Sequence, residues 1–360
     1  MNEVSDTPTL GTASAPQPFQ FTGNGAEYFG IWIVNLLLTV VTIGIYSAWA
    51  KVRRLQYFYR HTELAGSSFD FHGSPVKILV GRVIALAMLI TYQWTARLHS
   101  PWILGVLLVL ALVMPWLLRN SFRFRLYNTS WRGTRFHFRG SVGGSYRVFL
   151  LNGFLSIITL YLMVPFAHQR LKAYQHDNTW FGNTRASFHA GAGQFYLIYL
   201  YVVVAMIGVG VLIGASGIFS NFFHLMSLQQ KGVRVDPGAV LRAVVILYGV
   251  LVLVGLAIGP VIHALLTNLI WSNTRIGEHR LVCNISPLGL VWISISNFVL
   301  VVITLGLFIP WAAVRLSKFQ LESMQLLPAG DLQGFEAGEP ENVGAIGEEA
   351  ATAFDFDISL

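Results

Sequence analysis

Asn35, Asn152 and Asn297 each sit in a long apolar run, and seven positions after each stands a threonine: Thr42, Thr159 and Thr304. On a helix seven steps fall about 20° short of two turns, so each Asn and Thr share a face. Hydrocarbon satisfies neither an amide nor a hydroxyl, so such a stripe must face protein or water. The chemistry within its reach is a hydrogen bond between helices or the lining of a wet route. Eighteen positions after each Asn comes an arginine, Arg53, Arg170 or Arg315. Pro165 and Pro310 precede the second and third of these arginines. They are expected to stop or kink the helix, which leaves the arginines on a following interfacial segment.

A second constellation pairs aromatic and basic residues in the loops. Leu64–Ser68, Trp131–Arg135, Phe181–Arg185 and Trp271–Arg275 share a large apolar residue followed by Gly or Asn and by Thr or Ser. Gly and Asn tolerate the positive φ of tight hairpin turns, and flanks such as FHFRG (136–140) alternate apolar and polar. The spacing predicts short amphipathic β-hairpins at a membrane surface. Trp131, Arg135, Arg185, Trp271 and Arg275, with Arg53, Arg170 and Arg315, would contact lipid headgroups or simply anchor the interface. Catalytic signals are missing. No Ser–His–Asp order, carboxylate pair, P-loop or dinucleotide fingerprint occurs, and the ten histidines lack metal-ligand spacing. An enzyme is not expected, nor a cofactor, a metal or a nucleic-acid partner; membrane lipids, anionic ones included, are the expected partners.

The elements that must position these residues recur. A shift of 117 carries residues 19–72 onto 136–189 without a gap, and a shift of 262 carries 35–53 onto 297–315. The repeats run over about 19–73, 136–190 and 281–325. Repeats at fixed spacing are read before any other feature, because they set the architecture. The chain is 54% hydrophobic and 11% charged, against roughly 25% charged in soluble domains, which makes it a polytopic membrane protein. Apolar stretches at 28–48, 77–94, 102–118, 146–166, 195–219, 240–266 and 288–311 give an all-α fold of about seven transmembrane helices with three internal repeats and short interfacial hairpins. Residues 1–18 read as a disordered N-terminus, 19–325 as the membrane domain, and 326–360 as an acidic disordered tail. Residues 1–321 carry a net +16 and 322–360 a net −9.

Basic residues near the helix ends divide 16 to 6 with the N-terminus outside and the C-terminus in the cytoplasm, the direction the positive-inside rule favours. Seven spans would invert the second repeat relative to the first, an arrangement some transporters use. That inversion strands the Arg170 cluster outside, unless one repeat helix is re-entrant.

The motifs F-x-F-x-G-x-G-x-E-Y (19–28), N-x6-T-x-G-I-Y-S-A-W-A-K-V-R (35–53) and H-T-E-L-A-G-S-S-F-D-F-H-G (61–73) resemble the YjgN family of bacterial inner-membrane proteins, named only as a domain of unknown function. The resemblance covers about residues 19–325. Copy three departs from it, with Leu281 and Cys283 in place of the F-x-F pair. It implies a multi-pass protein of the bacterial inner (cytoplasmic) membrane and supplies no activity, substrate or catalytic residue. Two functions follow from the residues: transport or permeation along the Asn/Thr-striped helices, or non-catalytic binding of lipid or a partner through the Trp/Arg hairpins. The sequence sets neither the ligand nor the oligomeric state.

Overall fold

In the computed structural model, described for residues 15–97 and 102–329, ten short strands close into one antiparallel barrel in the order β1-β10-β9-β8-β7-β6-β5-β4-β3-β2. This corrects the all-α expectation of seven spans with separate surface hairpins. The strands are β1 (Gln17–Phe21), β2 (Thr62–Leu64), β3 (Ser67–Phe71), β4 (Thr129–Trp131), β5 (Thr134–Phe138), β6 (Thr179–Phe181), β7 (Thr184–Phe188), β8 (Thr274–Ile276), β9 (His279–Cys283) and β10 (Met324–Leu327). The bounds bring Gln17, Pro18, Leu326 and Leu327 into the barrel; the rest of the expected acidic tail, from Gly330 on, lies outside the described residues.

The barrel is built from hairpins whose turns the sequence specifies. Ala65 and Gly66 both take positive φ (48° and 72°), as do Arg132 and Gly133 (49° and 77°), the signature of a two-residue turn that matches strand twist. Each hairpin then pairs with the next across a long insertion, Phe69 with Trp131 and Phe136 with Phe181, for example. One residue per strand forms an inward layer: Phe19, Leu64, Phe69, Trp131, Phe136, Phe181, Ala186, Ile276, Leu281 and Leu326. These side chains leave only about 50 Å³ of space between them, so the barrel is a packed core and not a pore. Cys283, in this core, is buried, which pushes its thiol up to about 11 and keeps it unreactive.

The F-x-F-x-G motif has a packing cause. A Cβ added to Gly23, Gly73 or Gly140 would lie 2.4–2.6 Å from the ring of Phe21, Phe71 or Phe138, two residues earlier. The glycine leaves room for that ring to fold back over its own chain. Phe71 is only 1% exposed and has nowhere to retreat. Gly73→Ala is therefore expected to destabilise the protein by about 1–3 kcal/mol, the cost of overpacking. Gly30→Ala, where nothing lies within 4 Å, should be near neutral. Thermal unfolding of the purified variants in detergent checks the pair.

In an antiparallel barrel whose strands follow in sequence, connections alternate between the two ends. The tight turns lie at one end, so all five helical insertions leave and re-enter at the other. These are α1 (Gly25–Val41) with α2 (Ser47–Arg60); α3 (Pro75–Arg97) with α4 (Trp102–Tyr127); α5 (Val142–Ser145), a π-helical turn (Tyr146–Leu151) and α6 (Asn152–Ile158) with α7 (Val164–Asp177); α8 (Ala192–Ala215) and α9 (Ile218–Gln230) with α10 (Pro237–Ser272); and α11 (Pro287–Ile303) with α12 (Ile309–Glu322). They form a ring, in which α1 packs on α12, α10 on α11 and α7 on α8.

Among the described residues four helices are long and apolar enough to cross a membrane: α3, α4, α8 and α10. The other expected spans end early. The run 28–48 breaks at Val41, turns through Ile43 and Gly44 at φ 51° and 88°, and returns as α2. The runs 146–166 and 288–311 break in the same way, at Leu160–Tyr161 and Leu305–Gly306. Hydropathy missed these turns because their residues are apolar too. The first and last strands of the described chain lie side by side in the barrel. Gln17 and Pro18 pair with Leu326 and Gln325, so the chain leaves the barrel where it entered.

Candidate functional site

Helix α7 ends on the barrel and turns one face toward the centre of the helical ring. His168, Leu171, Lys172, Gln175 and His176 lie on that face at helical spacing. Opposite runs α10, presenting His263, Leu266, Thr267, Ile270, Trp271 and, just past its end, Thr274. Between them is a cavity of about 600 Å³, walled also by Phe122 and Leu126 of α4 and floored by Phe136, Ile276 and Leu281 of the barrel. A second space of about 150 Å³ shares His263, Thr267 and Trp271 and extends toward α2 and α12. The size suits a small-molecule site.

The lining has a defined polarity. Among its residues Lys172 is the only Lys or Arg, and none is Asp or Glu. Gln175 is 6% exposed, and its Nε2 has no hydrogen-bond partner among the described residues. His168 Nδ1 lies 3.1 Å from the Tyr199 hydroxyl, His176 Nδ1 3.2 Å from the Thr274 hydroxyl, and His263 Nε2 2.8 Å from Gln320 Nε2. Burial, with the nearby Lys172 charge, pushes His176 down to about 3, so its imidazole is neutral at physiological pH. The site offers donors on an otherwise apolar wall and suits an acceptor-rich or anionic group attached to a hydrophobic body. Among the described residues no group of three His, Cys, Asp or Glu side chains could hold a metal ion.

Sequence reasoning missed this face. At its positions copy one has Lys51, Leu55, Phe58 and Tyr59, and copy three has Ala313, Ser317, Gln320 and Leu321. The signal was a departure from the repeat: only copy two carries His, Lys, Gln and His together there.

The Asn/Thr stripe falls elsewhere. Asn35, Asn152 and Asn297 are all buried, at 7%, 7% and 9% exposure, and line neither cavity. Asn297 fastens its own helical hairpin. Its Nδ2 donates to the Ala312 carbonyl at 3.2 Å, and its Oδ1 accepts from Arg315 at 3.2 Å; Arg315 also reaches Ser296 at 3.0 Å. The Oδ1 of Asn35 has no partner among the described residues, and Arg53 donates to the Tyr46 hydroxyl at 3.1 Å. Arg170 stacks 5.0 Å from the centre of the Phe166 ring. Each threonine closes a turn. Thr304 Oγ1 donates to the Leu300 carbonyl at 2.7 Å and accepts from the Phe308 N–H at 3.0 Å. Thr42 and Thr159 make the same two contacts. Thr304→Val keeps the shape and removes both bonds, orphaning a backbone N–H. It is expected to lower stability by about 1–2 kcal/mol, read by thermal unfolding in detergent.

Of the aromatic and basic loop residues, all but Trp271 belong to strands of the barrel. Trp131 points inward and donates to the Ser67 carbonyl at 3.2 Å, while Arg132 stacks 4.6 Å from its ring centre. Arg135 lies over the Tyr127 ring, and Arg185 donates to the Asp177 carbonyl. Arg275, on β8, is exposed and pairs in register with Ser187 and Arg280. Trp271 is in the last turn of α10, against His176. The stretch 271–275 is thus a helix-to-strand switch and not a hairpin turn, which comes later at Gly277 (φ 59°). Asn273 and Thr274 cap the last turn of α10 by donating to the Leu269 and Ile270 carbonyls. Asn128–Thr129 and Asn178–Thr179 do the same at the ends of α4 and α7.

The model of a bacterial protein family of unknown function (DUF898) matches residues 16–353. An inner membrane protein, YjgN, of Salmonella typhimurium is 23% identical over 378 residues, covering 89% of this chain and 90% of its own. The YjgN proteins of Escherichia coli O157:H7 and K12 are 30% and 32% identical over 128 and 127 residues, each covering 35% of this chain and 32% of its own. No solved structure matches the chain.

Proposed function

Because this chain belongs to the DUF898 family of bacterial proteins of unknown function, whose relatives are inner membrane proteins, we propose that it is a multi-pass protein of that membrane which binds an amphipathic anion in the cavity at the barrel mouth. The observation that carries this reading is the α7 face: Lys172 and Gln175, whose buried Nε2 has no partner among the described residues, line a cavity of about 600 Å³ with mostly apolar walls. A route along the asparagine stripes has less support, since the asparagines are buried at their own hairpins and line neither cavity.

Four helices of crossing length imply two complete hairpins through the bilayer, with the barrel and both ends of the described chain on one side. Arg97, Lys231, Arg234 and Arg242 fall at the far ends of these helices, and the other 20 Lys and Arg lie nearer the barrel. By the positive-inside rule the barrel is cytoplasmic. All three repeats then share one orientation, and the Arg170 cluster no longer sits on the wrong side.

Native mass spectrometry of the detergent-purified protein tests the binding. The parent should retain a lipid-sized anionic adduct, and Thr267→Phe, which projects a ring into the cavity, should release it. Retention by both to the same extent would move the ligand out of this cavity.

A further inference from the structure

Three of the five helical insertions stop short. Helix α1 is followed by a five-residue turn, 42–46, and then by α2, and the insertions ending in α7 and α12 have the same form. Each turn closes on itself. Gly44 N–H donates to the Thr39 carbonyl, Tyr161 N–H to that of Ser156 and Gly306 N–H to that of Val301, at 2.7–2.8 Å, the six-to-one bond that ends a helix without solvent. The threonine hydroxyl satisfies a further N–H in each. A turn whose backbone is paired internally is the kind hydrocarbon tolerates.

The tips are apolar and bare. Ile43 is 94% exposed, Leu160 83% and Leu305 93%. In all three the stripe arginine stands eight residues beyond the last exposed tip residue, Arg53 after Ile45, Arg170 after Leu162 and Arg315 after Leu307. Eight residues of helix rise about 12 Å. With the arginines at headgroup level, the tips reach about 12 Å into a hydrocarbon layer whose half-thickness is about 15 Å.

We propose that these three hairpins are re-entrant, ending at the bilayer midplane, and that they make the protein a wedge seated mainly in the leaflet beside the barrel. That leaflet receives all five helical hairpins, whereas the other receives only two of them, α3 with α4 and α8–α9 with α10. The barrel-side cross-section is thus the larger, and the membrane around the protein bends convex toward the barrel. The activity is the shaping of a lipid surface, or selection of a surface already curved. It rests on the protein being in a membrane but not on the cavity's ligand.

Two measurements on the full chain test it, with Cys283→Ser removing the native thiol. Single cysteines replacing Ile43, Leu160 and Leu305 are labelled with a nitroxide in liposomes. Oxygen should reach the label far better than a nickel chelate does, as at a midplane; chelate access equal to that of a label at Lys231 would put the tips in water and overturn the proposal. Fluorescent protein in giant vesicles, barrel outward, should then be enriched over a lipid dye in a tether drawn from the vesicle. The triple variant Ile43→Lys, Leu160→Lys, Leu305→Lys should lose that enrichment. A parent distributed like the dye would leave re-entrant hairpins without the wedge and overturn the shaping activity. Both results are independent of any adduct seen by mass spectrometry.

Discussion

Trp131→Ala should cost about 3–5 kcal/mol, the usual range for removing a buried Trp side chain. Trp131 is 4% exposed, closes the inward layer between Phe69 and Phe181 at ring separations of 6.1 and 5.7 Å, and donates its indole N–H to the strand beside it. Its loss opens a cavity where β4 joins β3, which is also where the second helical insertion rejoins the barrel. A small barrel cannot collapse locally around such a gap, because the ten strands share one ring of hydrogen bonds. A control separates this from loss of aromatic surface: Trp94 on α3 is 69% exposed, and Trp94→Ala should leave the unfolding midpoint nearly unchanged. Thermal unfolding in detergent reads both. A headgroup role for Trp131 would give the reverse pattern, with weaker association with anionic vesicles at unchanged stability.

The two readings of Trp131 mark where the sequence stopped being legible. The hairpin turns were readable, because Ala65–Gly66 and Arg132–Gly133 need positive φ and sit between alternating residues. The family was readable from the F-x-F-x-G and N-x6-T segments. Closure of the hairpins into one barrel was not. Strands of three to five residues carry little pattern, and β3 finds β4 only across the 57 residues between Phe71 and Thr129. Once the hairpins pair with each other, Trp131 turns from a surface anchor into core. The same closure decided the helices. Five insertions rising from one end of a barrel cannot be inverted relative to each other, whereas seven consecutive spans must alternate. Hydropathy gave lengths but could not separate the exposed turn at Ile43–Gly44 from more helix, since the residues of both are apolar.

Gln175→Leu is expected to act in opposite directions on the empty and the occupied protein, and that makes it the sharper test of the site. In the empty protein a buried amide donor without a partner carries a desolvation cost of about 1–3 kcal/mol. Leucine fills much of the same volume and removes that cost, so the unfolding midpoint of ligand-stripped protein should rise. The occupied protein loses a hydrogen bond to the anion, and affinity should fall by roughly 10-fold or more, the equivalent of about 1.4 kcal/mol or above. Lys172→Met, which keeps the length and removes the charge, should weaken an anionic ligand further while leaving an uncharged amphiphile unaffected. His176 sets the pH range for the measurement. Its imidazole is held neutral by burial, with a folded value near 3 against 6.5 when exposed. The stability that neutrality confers is whole above pH 6.5 and is lost as the pH falls toward 3. Binding compared at pH 7 and 8 is therefore free of any change in the charge of His176. If Gln175→Leu instead destabilised the stripped protein and left retention untouched, the amide would be serving the fold, and the anion would have to lie elsewhere than on the α7 face.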